Sequence, residues 1–291
     1  MALDKHSACK VNLLLNILGK RPDGFHELET VMQPVDLHDS LTFERYGRDI
    51  QLSCNDPILP VNSRNLVFRA AALFLKTAAI REGVRIRLEK RIPIAAGLGG
   101  GSGNAATTLV ALNELFGNPL ADSVLTELAA SLGSDIPFFL QSHLALATGR
   151  GETIAPLDPF PAFAGAWMLL IHPGFGISTA WAYEQLARHP EALHGRPGRA
   201  QRLISLLQTS SLSAAGTEFY NSLEAPALQK YPLLALFQEC LRKNGAQAAL
   251  MSGSGSSTFA LAQSQSAVEH LLESFKGEFG GQFWTAIVKI G

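Results

Sequence analysis

The sequence predicts an α+β protein built as two domains. Three observations carry this. Hydrophobic periodicity switches repeatedly between two and about 3.6 residues. The length, 291 residues, exceeds the roughly 100 to 200 of one domain. A proline-rich stretch over 156–161 offers a linker, which places the domains at residues 1–157 and 158–291.

In order along the chain, residues 8–17 alternate as a strand. Cys9, Val11, Leu13, Leu15 and Ile17 form an apolar face, and Lys10, Asn12 and Asn16 lie on the other. Arg21-Pro22-Asp23-Gly24 reads as a turn, followed by strand-like segments at 30–37, 40–44 and 50–53. Val67, Ala70, Ala71, Phe74 and Ala78 recur at helical spacing behind Asn62, Ser63 and Asn65, any of which could cap a helix over 65–79. Val84, Ile86 and Leu88 predict a strand that leads into a glycine-rich segment at 93–103. Ala105, Leu109, Leu112 and Leu115 continue as a helix, and Asp122 or Ser123 caps another that stops at Gly133. A strand follows at 144–148. Beyond the linker the pattern predicts a buried strand at 167–171, helices at 179–188, 199–208 and 227–243, strands flanking 252–257, a helix at 267–275 and a last strand at 283–290.

Composition narrows the function. Lys plus Arg (24) against Asp plus Glu (25) leaves a formal charge of −1, so no global positive field gathers nucleic acid or an anionic membrane surface. A hydrophobic content of 47% excludes intrinsic disorder. Cys9, Cys54 and Cys240 are odd in number and far apart, which argues against a disulfide framework and a zinc site and for a cytoplasmic setting. The apolar stretch 11–18 is interrupted by Asn12 and Asn16, and 160–171 is too short to span a bilayer.

The glycine-rich segment carries the chemistry. Pro93-Ile94-Ala95-Ala96-Gly97-Leu98-Gly99-Gly100-Gly101-Ser102-Gly103-Asn104 opens a helix. Glycines at a helix N-terminus leave backbone N–H groups open at the positive end of the dipole, an anion site. No charged residue lies between Ile92 and Asn113, which removes the Walker-type P-loop with its lysine. Gly101-x-Gly103-x-x-Ala106 matches a dinucleotide fingerprint, but the acidic residue expected at the end of a second strand falls in a helical pattern. Protein-kinase order fails for want of His-Arg-Asp and Asp-Phe-Gly. A second small-residue loop, Met251-Ser252-Gly253-Ser254-Gly255-Ser256-Ser257-Thr258, reads equally as a plain hairpin turn or as part of a site.

Taken together, Ala8-Cys9-Lys10-Val11-Asn12-Leu13, Arg21-Pro22-Asp23-Gly24-Phe25-His26, the glycine loop, Gly133-Ser134-Asp135-Ile136-Pro137 and Ser252-Gly253-Ser254-Gly255 resemble the GHMP small-molecule kinases, in family order from residue 8 to about 258. The first two motifs resemble the branch that acts on a cytidyl substrate. The resemblance implies the two-domain α+β GHMP kinase architecture, a ribosomal protein S5 domain 2-like N-terminal domain and a GHMP C-terminal domain. It implies ATP-dependent phosphorylation of the 2-hydroxyl of 4-diphosphocytidyl-2-C-methyl-D-erythritol in non-mevalonate isoprenoid synthesis.

By the same resemblance Asp135 is the catalytic base and Lys10 the catalytic lysine, which keeps Asp135 ionised and polarises the hydroxyl. ATP lies on Pro93, Gly97, Leu98, Gly99, Gly100, Gly101, Ser102, Gly103 and Asn104, with Asn65 against adenine. Asn12, Phe25 and His26 hold the substrate; Tyr183 closes the cytosine sandwich, with Trp181 as a rival. Phe25 stands where the family has tyrosine, and Gly103 where many relatives have a second serine. Mg²⁺ is expected to arrive with ATP, without a dedicated protein ligand, in a monomer or weak homodimer. The rivals are a GHMP kinase for another alcohol, a non-catalytic nucleotide-binding protein and a dinucleotide oxidoreductase.

Overall fold

The computed structural model describes residues 2–141, 143–209 and 211–290. Packing divides the chain into two compact units. The first comprises Met1–Cys9, Leu37–Pro93 and Gly99–His143, and the second Lys10–Asp36, Ile94–Leu98 and Leu144–Gly291. Two long strands, β1 (Ala2–Lys20) and β2 (His26–Arg45), each contribute to both units along their length. The expected segments 30–37 and 40–44 are one strand. Asp39, a type that usually interrupts strands, is fully buried and accepts the N–H groups of Arg91 and Ile92 at 2.8 and 2.9 Å, which holds it in place.

In the first unit β3 (Ile50–Cys54) runs parallel to β4 (Val84–Glu89), with α1 (Leu66–Thr77) as the crossover, and β4 pairs antiparallel with the end of β2. Of the three candidate caps, Asn65 is the one that caps α1, accepting the Val67 N–H at 2.9 Å. Its buried stripe of Val67, Ala70, Ala71 and Phe74 joins Ala105, Leu109 and Leu112 of α2 (Gly100–Leu115) in one core. Neither Asp122 nor Ser123 caps α3 (Asp122–Leu132). Ala121 takes that position, and Asp122 is the first helical residue, where its carboxylate meets the positive dipole end. The short α4 (Ile136–Gln141) has too few residues for a periodic signal, and Pro137 fits its first turn because no N–H is required there.

In the second unit β5 (Ala145–Gly149) pairs antiparallel with the start of β2, from Leu28↔Gly149 to Met32↔Ala145, and β6 (Thr153–Pro156) returns along it. The expected linker contains the end of β6 and the start of a 3₁₀ turn, Pro161–Phe163. The chain continues through β7 (Trp167–His172), α5 (Thr179–Gln185), α6 (Pro190–Leu193), α7 (Arg199–Thr209), α8 (Leu212–Ala215) and β8 (Tyr220–Asn221). It ends with α9 (Glu224–Lys230), α10 (Pro232–Lys243), β9 (Ala248–Met251), β10 (Thr258–Ala262), α11 (Gln265–Phe279) and β11 (Trp284–Lys289). The single helix expected over 227–243 is broken because Pro232 disfavours a helical Tyr231, which sits at φ −125° and ψ 74°. A sheet ordered β11-β7-β10-β9 packs its apolar residues with Phe237 and Phe275 of the helices. Among the described residues, no helix is long and apolar enough to cross a membrane.

Candidate active site

The polar face of β1 is buried. Lys10 and Asn12 are each 3% exposed and Asn16 is inaccessible, so each needs partners inside the protein. Lys10 Nζ donates to Asn12 Oδ1 at 2.5 Å and lies 3.4 Å from the Gly97 carbonyl. Asn12 Nδ2 donates to Thr30 Oγ1 at 2.8 Å, and Thr30 Oγ1 donates in turn to the Leu14 carbonyl at 2.6 Å. A solvated strand lysine is therefore excluded. The ammonium is placed by an amide that is itself placed by a hydroxyl.

The same strand holds the entry of the glycine loop, because the Lys10 N–H donates to the Leu98 carbonyl at 2.9 Å. On its other side the loop meets the 252–257 segment. Ser252 Oγ donates to the Gly97 carbonyl at 2.9 Å and accepts the Asn12 N–H at 3.2 Å, while the Ser257 N–H donates to the Ala96 carbonyl at 3.0 Å. The second loop joins the antiparallel neighbours β9 and β10 as a hairpin connection, and its hydrogen bonds also brace the entry of the glycine loop.

In the first unit α2 starts at Gly100, with Gly99 as its cap at φ +69°. The first ladder bond runs from the Gly103 N–H to the Gly99 carbonyl at 2.9 Å. The amides of Gly99, Gly100, Gly101 and Ser102 thus precede the helical ladder. No side chain caps this terminus and no acidic residue lies in its first turn, which leaves a neutral cradle for an anion. Gly103 and Asn104 do different work. The Asn104 side chain is 2% exposed and donates to Asp39 Oδ2 at 2.9 Å, and Asp39 is ion-paired with the buried Lys90. This network seats the helix start. The half-buried Pro93 follows Arg91 and Ile92, whose amides Asp39 holds. Asn65 donates from Nδ2 to the Pro60 carbonyl at 2.8 Å besides capping α1.

A Cβ on Gly103 would stand 2.6 Å from the Ala8 carbonyl oxygen and 2.9 Å from Ser7 Oγ, so the chain has no room there for a serine. Gly103→Ser is expected to destabilise the protein by about 1–3 kcal/mol, read as a fall in thermal midpoint. An unchanged midpoint would contradict this packing.

The 21–26 turn is closed by its own hydrogen bonds. The Gly24 N–H donates to the Arg21 carbonyl at 3.1 Å, the Arg21 N–H to the Phe25 carbonyl at 2.7 Å, and the Phe25 N–H to Asp23 Oδ1 at 3.1 Å. It presents Phe25 at 48% exposure, with the Arg150 guanidinium 4.7 Å over its ring. The His26 and Tyr183 rings lie 5.0 Å apart. Trp181 instead packs edge-on to Tyr231 and carries Lys230 Nζ 4.2 Å above its ring, so Tyr183 is the aromatic beside the turn. Burial, assisted by the Lys20 charge, lowers the His26 pKa below its ordinary 6.5.

Asp135 is half-buried on the bend between α3 and α4, after the Gly133 N–H closes α3 onto Ala129 at 3.2 Å. Sequence reasoning missed Thr30, Asp39, Lys90 and Arg150 as parts of these arrangements, and named Ser252 only as a member of the small-residue loop without its partners. Among the described residues, no group of three or more His, Cys, Asp or Glu is arranged to hold a metal ion.

Family models match both halves: GHMP kinases N terminal domain over residues 65–143 and GHMP kinases C terminal over 190–281. The chain is 41% identical over 262 residues to the 4-diphosphocytidyl-2-C-methyl-D-erythritol kinase of Pelotomaculum thermopropionicum, covering 90% of this chain and 89% of that protein. It is 40% identical over 276 residues to the enzyme of that name from Gloeobacter violaceus, covering 94% and 90%. A crystal structure of 4-(cytidine 5'-diphospho)-2C-methyl-D-erythritol kinase superposes with TM-score 0.79 at 33% identity, covering 99% of this chain and all of that one. Homoserine kinase from Cytophaga hutchinsonii, at 20% identity and TM-score 0.76 over 99% of this chain and 95% of that one, shares the fold. The chain belongs to the GHMP kinases and, within them, to the 4-diphosphocytidyl-2-C-methyl-D-erythritol kinase family.

Proposed function

We propose that this protein phosphorylates the 2-hydroxyl of 4-diphosphocytidyl-2-C-methyl-D-erythritol with ATP, giving the 2-phosphate and ADP, in the cytoplasmic non-mevalonate route to isoprenoid precursors. The observation that carries the reading, in a chain of this family, is the aromatic pair His26–Tyr183 beside the exposed Phe25. Aromatic faces grouped at this turn can stack on a planar base, whereas mevalonate and homoserine have no ring to stack. The N-terminal GHMP domain is taken as 1–157 and the C-terminal one as 158–291.

When bound, ATP would supply the phosphoryl group and bring Mg²⁺ with it to offset the phosphate charge. The amides of Gly99, Gly100, Gly101 and Ser102 take the phosphate charge, with Pro93, Gly97, Leu98, Gly103 and Asn104 shaping the cradle and Asn65 on the adenine side. Asp135 accepts the proton of the 2-hydroxyl as its oxygen bonds to the γ-phosphorus and the bond to ADP breaks. Lys10 balances the charge on the transferring group. Asn12 contacts the acceptor, Phe25 and Tyr183 stack on cytosine, and His26 hydrogen-bonds it.

A neutral imidazole offers the base both an acceptor and a donor, while its protonated form offers only donors. Because the His26 pKa is lowered, the neutral form prevails at neutral pH and is lost only as the pH falls through that depressed value. The KM for the cytidyl acceptor is therefore expected to hold from neutral pH down past the ordinary histidine value of 6.5 and to rise several-fold only as the pH falls through the depressed one, with the KM for ATP unchanged. His26→Phe should flatten that rise; an unaltered acceptor pH profile in the variant would remove His26 from the base site.

A further inference from the structure

The segment Tyr220-Asn221-Ser222-Leu223-Glu224 lies outside every motif that marks the site, yet its polar side chains bond the backbone of elements that build it. Ser222 Oγ accepts the Ile17 N–H at 3.0 Å and the Ser222 N–H donates to the Leu15 carbonyl at 2.8 Å, fixing the segment to β1. Asn221, 2% exposed, donates from Nδ2 to the carbonyls of Met251 at 2.8 Å and Gly253 at 2.7 Å, while its Oδ1 accepts the Leu223 N–H at 2.9 Å. Glu224 Oε1 accepts the Met251 N–H at 2.7 Å and a Gln238 Nε2 proton at 2.6 Å. Met251 is thus held at both its amide and its carbonyl, and the next residue is Ser252.

The chemistry requires an amide at position 221. Two carbonyl oxygens, two residues apart, point at one nitrogen, and only a side-chain amide offers two protons on a single short-reach atom with an acceptor beside it. Without it the two carbonyls would face each other buried and unpaired. The consequence reaches β1, because the Gly253 backbone passes so close that a Cβ on it would stand 3.1 Å from Asn12 Oδ1 and 3.4 Å from Lys10 Nζ. The native link is direct as well: Ser252 Oγ accepts the Asn12 N–H at 3.2 Å and shares the Gly97 carbonyl with Lys10 Nζ.

We propose that Asn221 is a positioning residue for the transfer step: by gripping the Met251 and Gly253 carbonyls it sets Ser252 and Gly253 against Asn12, Lys10 and the Gly97 carbonyl. It touches no reacting atom and acts through Ser252. This inference rests on the kinase reading above, in which Lys10 serves the transfer.

The test is steady-state kinetics on the full chain for Asn221→Asp, Asn221→Ser, Ser252→Ala and the Asn221→Ser/Ser252→Ala double variant, each with its thermal midpoint. Asp places an oxygen against the two carbonyls at unchanged volume; Ser removes the two-proton grip. The expected result is a kcat lowered by about 10- to 100-fold in Asn221→Asp and Asn221→Ser, with both KM values within about threefold. The double variant should be no slower than the slower single one within about twofold, the mark of residues acting through one contact. A kcat kept in a folded Asn221→Ser variant, or losses that multiply in the double variant, would overturn the proposal. Failure of both Asn221 variants to fold would assign the residue to stability alone and overturn it equally. Lys10→Met separates the two levels: wild-type turnover in that variant would sink the transfer reading, whereas its inactivity beside a fully active Asn221→Ser would sink only the role of Asn221.

Discussion

Asp135→Asn is expected to lower kcat by about 10² to 10⁴-fold, the usual contribution of a positioned general base, while ATP affinity stays within a few-fold. The variant keeps the size and polarity of the side chain and removes its capacity to take a proton. The N-terminal amides of α2, which carry no side-chain cap, are unaffected by the change, so nucleotide binding should persist. The bend that presents Asp135 is secured by backbone bonds of its neighbours, the Gly133 N–H to Ala129 and the Ile136 N–H to Gly133 at 3.2 Å each, so the fold should survive. Single-turnover kinetics beside nucleotide titration separates the two effects. Turnover near wild type would remove Asp135 from the role of base.

The second large effect is expected at Gly97. Its φ of +76° is costly for any residue with a Cβ. A Cβ there would also stand 2.0 Å from the Ser252 carbonyl oxygen and 3.0 Å from the Gly255 nitrogen, both backbone atoms that cannot swing aside. Gly97→Ala must therefore separate the glycine loop from the loop that braces it, and with it the carbonyl shared by Lys10 and Ser252. A loss in kcat/KM of about 10²-fold or more is expected, together with a lowered thermal midpoint. Gly117→Ala is the control. Gly117 has φ +84° with nothing within 4 Å of an added Cβ, so it reports backbone strain alone. Equal behaviour of the two variants would show that contact between the loops is unimportant.

Local signals in the chain announced much of this. The alternation from Cys9 to Ile17 separated Lys10 and Asn12 from the apolar face, helical spacing found α1 with Asn65 among its candidate caps, and the glycine run marked the start of α2. The arrangements that hold those residues were not legible, because their partners are distant in sequence. Asn12 meets Ser252 across 240 positions, and Asn104 meets Asp39 across 65. No periodicity encodes such pairs. That the polar face of β1 is covered also escaped the alternation, which separates two faces without saying what packs on each. Short helices such as α4 and the break at Pro232 were missed for a related reason: single-turn geometry and one proline decide them against the wider pattern.

The central claim, phosphorylation of a cytidyl-linked methylerythritol, is tested most directly by an ADP-release assay on the intact protein with that acceptor and, separately, with mevalonate, homoserine and galactose. Turnover is expected with the cytidyl acceptor and only background with the other three. Background with the cytidyl acceptor together with turnover on any of the others would contradict the assignment.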